Sequence, residues 1–488
     1  MARLVLPPVA FVLCFASAVP AGPRPQAKDG GPDRPQPPSP QIIPLDVSLT
    51  PAPVPAFRYE LLPSRKSRTP GNAAVDYQRA VIRLPQWPRD PQAAQRQNDD
   101  IDRWHTASFD EYPHDEVATF LKGYEQTFAA LDRAATRERC DWQLDDYLGP
   151  DHLDGLLNEV QKYRELTRFN SLRLRAHLAK KDFDAAICDL RAGFRLGKDV
   201  AEGPTTIRML VGLALVGVTT GDAEKWIGRP EAPNLYWALA SLPAPFIDPR
   251  PALDGEFKFV SGSLPQPEEL SRGVLEPAKA NQLLEEVRGA VCRLGACPVT
   301  ADQLGAYAAR HAAAARTQLV AMGQPADAVK KMPDAQAVAL RATLVLRANW
   351  DDVVKCFGLP YEKATAELAR IREAAEKLRK GDDPLLAIYA TDAAAMLKVH
   401  YAYVRVQRRL TGLQAVEAVR LHAATSGGKL PATLADVTAV PIPDDPISGR
   451  PFVYATTDAG FTLAAPPPAG EVAHAGNSFR YEVTVRKK

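Results

Sequence analysis

Residues 181–204, KDFDAAICDLRAGFRLGKDVAEGP, decide how this chain folds. Lys181-Asp182 reads as a short turn. Beyond it Phe183, Ala186, Ile187 and Leu190 recur at helical spacing until Gly203-Pro204 stops the run. Residues 152–181 carry Leu156, Leu157, Val160, Tyr163 and Leu166 in the same period, and Leu178 pairs across the turn with the second run. Two amphipathic helices joined this tightly form a hairpin, with small residues where they cross.

The same period extends outward. Residues 113–140 place Val117, Phe120, Leu121, Tyr124, Phe128 and Leu131 on one stripe, which predicts a helix. Downstream, residues 233–260 read as two short helices around a proline-rich kink, followed by a loosely packed stretch near 261–275. Helices are expected over 276–294, 302–322, 335–357 and 361–380, and a long one from 384 to about 425. Ser426-Gly427-Gly428 ends the last helix. PFVYA, FTLAA and FRYEVTV then alternate with turn residues and predict a small antiparallel sheet of two or three strands. The expected fold class is mainly α: stacked helical hairpins with a small C-terminal α+β module.

Composition narrows the function. Sixty basic residues against 58 acidic ones leave a net charge of +2, which argues against a nucleic-acid binder. Arg3, the apolar run LVLPPVAFVLCFASAV and the small-residue site Ala16-Ser17-Ala18 have the layout of a secretory signal. Leu13 before Cys14 argues against lipidation. Five cysteines then remain: Cys140, Cys188, Cys292, Cys297 and Cys356. In an oxidising compartment Cys292 and Cys297, flanking the turn RLGA, are a candidate disulfide, the alternative being two unpaired thiols. The run MLVGLALVGV at 209–218 is too short to span a bilayer and reads as a buried helix. The expected organisation is a signal peptide at 1–18, a proline-rich disordered linker at 19–56, and an N-terminal helical domain at 57–262. A second helical region follows at 276–426 and the sheet module at 427–488.

Lys181-Asp182-Phe183-Asp184-Ala185-Ala186-Ile187 resembles the turn and second-helix start of a tetratricopeptide unit. Leu174 stands where that family has a small residue, and no 34-residue repetition recurs. A longer resemblance rests on Tyr59-Glu60-Leu61-Leu62-Pro63, Pro70-Gly71-Asn72-Ala73-Ala74 with Tyr77, and Cys140-Asp141-Trp142. It continues through Val200-Ala201-Glu202-Gly203-Pro204, Pro233-Asn234-Leu235-Tyr236-Trp237-Ala238-Leu239 and Pro245-Phe246-Ile247-Asp248. These stretches, covering most of 57–260, resemble exported helical proteins of unknown function in planctomycete bacteria, and the resemblance implies no catalytic residues. Leu430-Pro431, Asp445-Pro446, Gly449-Arg450-Pro451 and Tyr454 are similar to the C-terminal module of type II secretion pseudopilins. The calcium loop of that family is replaced by Pro466-Pro467-Pro468-Ala469-Gly470, so no calcium is implied.

Three clusters could carry chemistry. His105, His114 and Glu116, with Asp110, Glu111 and Asp115, could supply an acid, a base or metal ligands, although Pro113 and the acids also suit a helix start. Trp142, beside Asp141, Asp145 and Asp146, could bind sugar or peptide, or anchor a turn. Tyr236 and Trp237, with Asn234 and Asp248, could line a ligand groove, or belong to the core. His400, Tyr401, Tyr403 and His422 on the last helix read as surface or core residues. Thr425-Ser426-Gly427-Gly428-Lys429 only mimics a phosphate loop and reads as a helix stop. No G-x-S-x-G, H-E-x-x-H or G-x-G-x-x-G occurs.

The expectation is a secreted or periplasmic helical scaffold or interaction protein, leaning away from catalysis, with no cofactor and no metal. Its partner would be a protein or cell-envelope component, with membrane contact only if the signal stays uncleaved. A hydrolase or metal-dependent enzyme built on the residue 105–116 cluster is the first alternative, and an envelope or carbohydrate binder the second. Convergence of His105, His114 and two carboxylates in one concave pocket would favour the enzyme.

Overall fold

A tight crossing of two helices sits at the centre of the molecule, described in a computed structural model over residues 39–144, 153–262, 264–294, 299–387 and 393–486. The described chain begins with β1 (Gln41–Val47) and β2 (Thr69–Asn72). Four helices follow: α1 (Ala73–Ile82), α2 (Pro91–Thr106), α3 (His114–Lys122) and α4 (Glu125–Thr136). After β3 (Arg137–Arg139) come the long helices α5 (Leu153–Ala179), α6 (Phe183–Ala201) and α7 (Thr206–Ile227). The turn between α5 and α6 puts Lys181 at a φ of 57°, and Asp182 Oδ1 accepts from Ala185 N at 3.0 Å to cap α6. Thr205 caps α7 in the same way through Arg208 N.

Where α6 and α7 cross, a Cβ on Gly212 would lie 2.2 Å from Ala201 N and 2.5 Å from Gly197 O. The backbones touch because this position carries no side chain. Helix α7 contains the apolar 209–218 run. It is long and apolar enough to cross a membrane, yet 67% of its most apolar window is buried, packed against α5, α6 and β1.

The single helix expected over 113–140 is two. Gly123 N and Tyr124 N turn back to Phe120 O and Leu121 O, and α4 restarts at Glu125. The break lets Phe120 and Tyr124 both reach Phe169, with ring centroids 5.9 and 4.4 Å away. Periodicity alone could not show it, because the apolar stripe runs unbroken through the glycine. Strands β2 and β3 pair in parallel, an element that the sequence did not signal.

The rest of the chain is helical until its last sixty residues. It comprises α8 (Tyr236–Ala240), α9 (Arg250–Ser261), α10 (Pro267–Ser271), α11 (Pro277–Leu294) and α12 (Leu304–Ala321). Then come α13 (Ala326–Lys331), α14 (Asp334–Cys356), α15 (Tyr361–Arg379), α16 (Pro384–Ala387) and α17 (Ala393–Thr425). Strands β4 (Val453–Thr456), β5 (Gly460–Ala465) and β6 (Phe479–Val485) form the expected antiparallel sheet.

That sheet has a fourth strand from an unexpected source. Its order is β1-β6-β5-β4, with β1 parallel to β6 from Gln41 opposite Phe479 to Val47 opposite Val485. Residues 41–47 are therefore structured, which corrects the reading of 19–56 as one disordered linker. Ile43, Leu45 and Val47 face the core while Ile42, Pro44 and Asp46 face outward. Pro44 is tolerated because an edge strand has no neighbour to receive its missing N–H. The dense prolines around this short alternation masked it.

The hydrophobic cores do not follow the expected split at residue 262. The principal core joins Ile43, Leu45, Leu190 and Trp226 to Val419 and Tyr481, from both ends of the chain. A second core is built from residues between Phe259 and Leu346, with Leu385 and Leu386. Helix α14 serves both, giving Val338 and Leu340 to the second and Trp350 and Val353 to the first. The region expected as 276–426 is thus divided: its first part belongs to an inserted bundle and α17 to the main body. Cys292 is disulfide-bonded, and its expected partner Cys297 lies outside the described residues. Cys140, Cys188 and Cys356 are free thiols.

Candidate functional site

Helix α6, the segment 243–250, the α14–α15 turn and α17 enclose a groove of about 790 Å³. Its walls are proline faces and aromatic rings: Pro243, Pro245, Pro249 and Pro360, with Phe357, Tyr361 and Tyr403. On α17, His400, Tyr403, Val404 and Gln407 share one face at i, i+3, i+4 and i+7. Pro360 starts α15 with its backbone extended at ψ 145°, which swings Tyr361 toward His400. The 243–250 wall is pinned twice. Gln407 Oε1 accepts from Phe246 N at 2.8 Å, and Phe246 packs edge-on against Phe194 at 5.8 Å.

His400 is the polar group of the groove. It is 1% exposed, and its Nδ1 has no hydrogen-bond partner. Phe357 meets it edge-on at 5.1 Å and Tyr361 stacks on it at 5.9 Å. Burial alone lowers the imidazole to about 4, so it is neutral at physiological pH. Burial also pushes the Tyr403 phenol up to about 12, reinforced by Asp248. The charges lie at the rim and are already paired. Arg250 Nη2 contacts Asp248 Oδ2 at 2.5 Å and holds its carboxyl below the usual range. Lys198 Nζ bonds Phe246 O at 3.1 Å and also reaches Glu202.

The clusters singled out in the sequence go elsewhere. His105, His114 and Glu116 have separate surroundings. Burial lowers His105 to about 4, helped by Lys225, and its Nε2 is buried without a partner. His114 is exposed, with its ring edge-on to Tyr112 at 5.4 Å. Glu116 is exposed and bonds Arg103 Nη2 at 2.7 Å and Trp104 Nε1 at 3.1 Å. Among the described residues no group of three His, Cys, Asp or Glu side chains could hold a metal ion. The 105–116 cluster is thus a helix end and a helix start stapled by Arg103 to Glu116.

Trp142 is an anchor. Tyr77 stacks on it at 5.7 Å, the Arg208 guanidinium lies 4.2 Å from its ring centre, and its Nε1 donates to Asp199 O at 2.8 Å. Asp145 and Asp146 lie outside the described residues. Tyr236 is buried with its hydroxyl donating to Pro441 O at 2.5 Å, and Asn234 Nδ2 donates to Glu417 O at 3.0 Å. Trp237 is half-buried against Phe57 and Tyr236. Asp248, expected beside this pair, instead sits at the rim of the groove.

His400 was legible only as a histidine on a helix. The signal that could have found it is the run His400, Tyr403, Val404, Gln407, too polar for a pure core face and too apolar for a solvated one. No protein-family model, no curated protein and no solved structure matches this chain.

Proposed function

We propose that this chain is an exported, non-catalytic interaction protein whose recognition site is the groove between α6, residues 243–250, the α14–α15 turn and α17. The observation that carries the reading is His400, a neutral imidazole with an unpartnered Nδ1 at an aromatic and proline-lined wall. Such a site offers flat apolar and aromatic surface over a buried polar atom, which suits a peptide or other apolar ligand. General acid–base work needs a partner that orients or charges the imidazole. Here Nδ1 has no hydrogen-bond partner. The enzyme alternative loses support because His105 lies beside Lys225 while His114 and Glu116 are exposed, Glu116 being paired with Arg103. Export rests on the signal-like start, and the kinship with planctomycete exported proteins on the stretches quoted for it.

The test is binding of anilinonaphthalene sulfonate, a probe of apolar grooves. The chain is expected to bind it at one site. Gly358→Trp, which places an indole at the exposed turn where an added Cβ meets nothing closer than 3.6 Å, is expected to abolish the signal without loss of fold. Dye binding unaffected by Gly358→Trp would refute the groove. N-terminal sequencing of the exported protein is expected to begin at Val19; an intact Met1 would refute cleavage.

A further inference from the structure

We infer that the occupant of this groove is the chain's own proline-rich segment, residues 20–38, docked in cis. The inference rests on reading the groove as a recognition site and names what it recognises. Residues 20–38 carry prolines at 20, 23, 25, 32, 35, 37 and 38, and Pro35-Gln36-Pro37-Pro38 is a P-x-x-P run preceded by Arg34. Prolyl residues have no N–H to donate. They present ring faces and bare carbonyls, and surfaces that capture them are lined by aromatic rings with a few hydrogen-bond donors. The groove has that chemistry: Phe357, Tyr361 and Tyr403 supply rings, and His400 in its Nδ1–H tautomer supplies a buried donor that lacks an acceptor.

The attachment point permits it. The described chain starts at Ser39, and Gln41 Oε1 accepts from Arg409 Nη1 at 3.3 Å. Arg409 lies on α17, as do Tyr403 and Gln407 in the groove wall; it is six residues beyond Tyr403, about 9 Å along the axis, and on the opposite face of the helix from His400, so the segment must pass round α17 to reach the groove. Nineteen residues in polyproline geometry reach about 59 Å. A segment tethered in this way meets the groove at an effective concentration of about a millimolar, so a contact with a Kd of about 0.1 mM is about nine-tenths closed, and dye reaches the groove of the intact chain through the open remainder. An external partner would then have to displace the segment before reaching His400.

The experiment uses the exported chain from Val19, intact and with Pro32, Pro35, Pro37 and Pro38 each replaced by serine. A labelled synthetic peptide of residues 20–38 is titrated into both and followed by fluorescence anisotropy. The serine variant is expected to bind the peptide at least about tenfold more tightly than the intact chain, whose own segment competes. Adding Gly358→Trp or His400→Ala to the serine variant is expected to remove that binding. Equal binding to both chains, binding to neither, or binding indifferent to Gly358→Trp would overturn the inference. Anilinonaphthalene sulfonate separates the two levels. If the serine variant binds dye in a Gly358→Trp-sensitive way but not the peptide, the groove stands and self-docking falls. If it binds neither, both fall.

Discussion

At the scale of single residues, buried charges hold the main body together. Arg408 and Asp445 are 2% and 0% exposed. Arg408 Nε and Nη2 meet the two carboxylate oxygens at 2.8 and 2.6 Å, and Nη1 donates to Asn477 O at 2.8 Å. Removing one member of such a pair strands the other in a medium that cannot solvate it. Asp445→Ala is expected to cost about 3–5 kcal/mol by urea denaturation. A loss under about 1 kcal/mol would show that water reaches the site. Two histidines whose ring nitrogens are buried without a partner make a second residue-scale expectation. His105 and His400 are held near 4 in the fold, whereas an exposed imidazole titrates near 6.5. Between those values the unfolded chain binds more protons than the folded one, so stability falls as pH drops from about 6.5 toward 4. Each histidine contributes a slope of at most about 1.4 kcal/mol per pH unit. His400→Phe is expected to flatten part of this decline; an unchanged pH profile would mean that the folded chain protonates His400 as readily as the unfolded one.

At the scale of elements, close approach and edge pairing dominate. Gly212→Ala puts a Cβ 2.2 Å from Ala201 N, a backbone atom that cannot swing aside. It is expected to lower stability by about 1–3 kcal/mol or more through forced separation of α6 and α7. A thermal scan showing no change would mean that the two helices slide freely. Strand β1 gives the sharper contrast. Val47 is fully buried, and just beyond it Arg420 ties Ser48 O at 2.7 Å and Thr50 Oγ1 at 2.7 Å to α17. Val47→Asp is expected to cost about 2 kcal/mol or more by urea denaturation, because it buries a carboxylate without a partner. A free linker would show none of that loss. The hairpin of α5 and α6 was readable because its turn and stripe are local. The groove was not, because its walls come from five separate stretches spanning residues 198 to 446.

At the scale of the molecule, one helix joins two cores. Helix α14 runs from the inserted bundle into the main body, and Phe257 stacks on Trp350 at 6.0 Å where they meet. Trp350→Ala is expected to cost about 3–5 kcal/mol and to split urea unfolding into two transitions, read by circular dichroism. A single transition in the variant would show that other contacts couple the cores. The mainly helical class, most helix ends and an antiparallel sheet of two or three C-terminal strands were legible locally, since periods, caps and turns depend on neighbours within a few residues. Long-range packing was needed to place residues 41–47 in the C-terminal sheet, α17 in the first core and His400 at a groove. Each of these depends on which apolar face finds which across hundreds of residues. Many faces have similar composition, and burial selects among them only when the whole chain is packed.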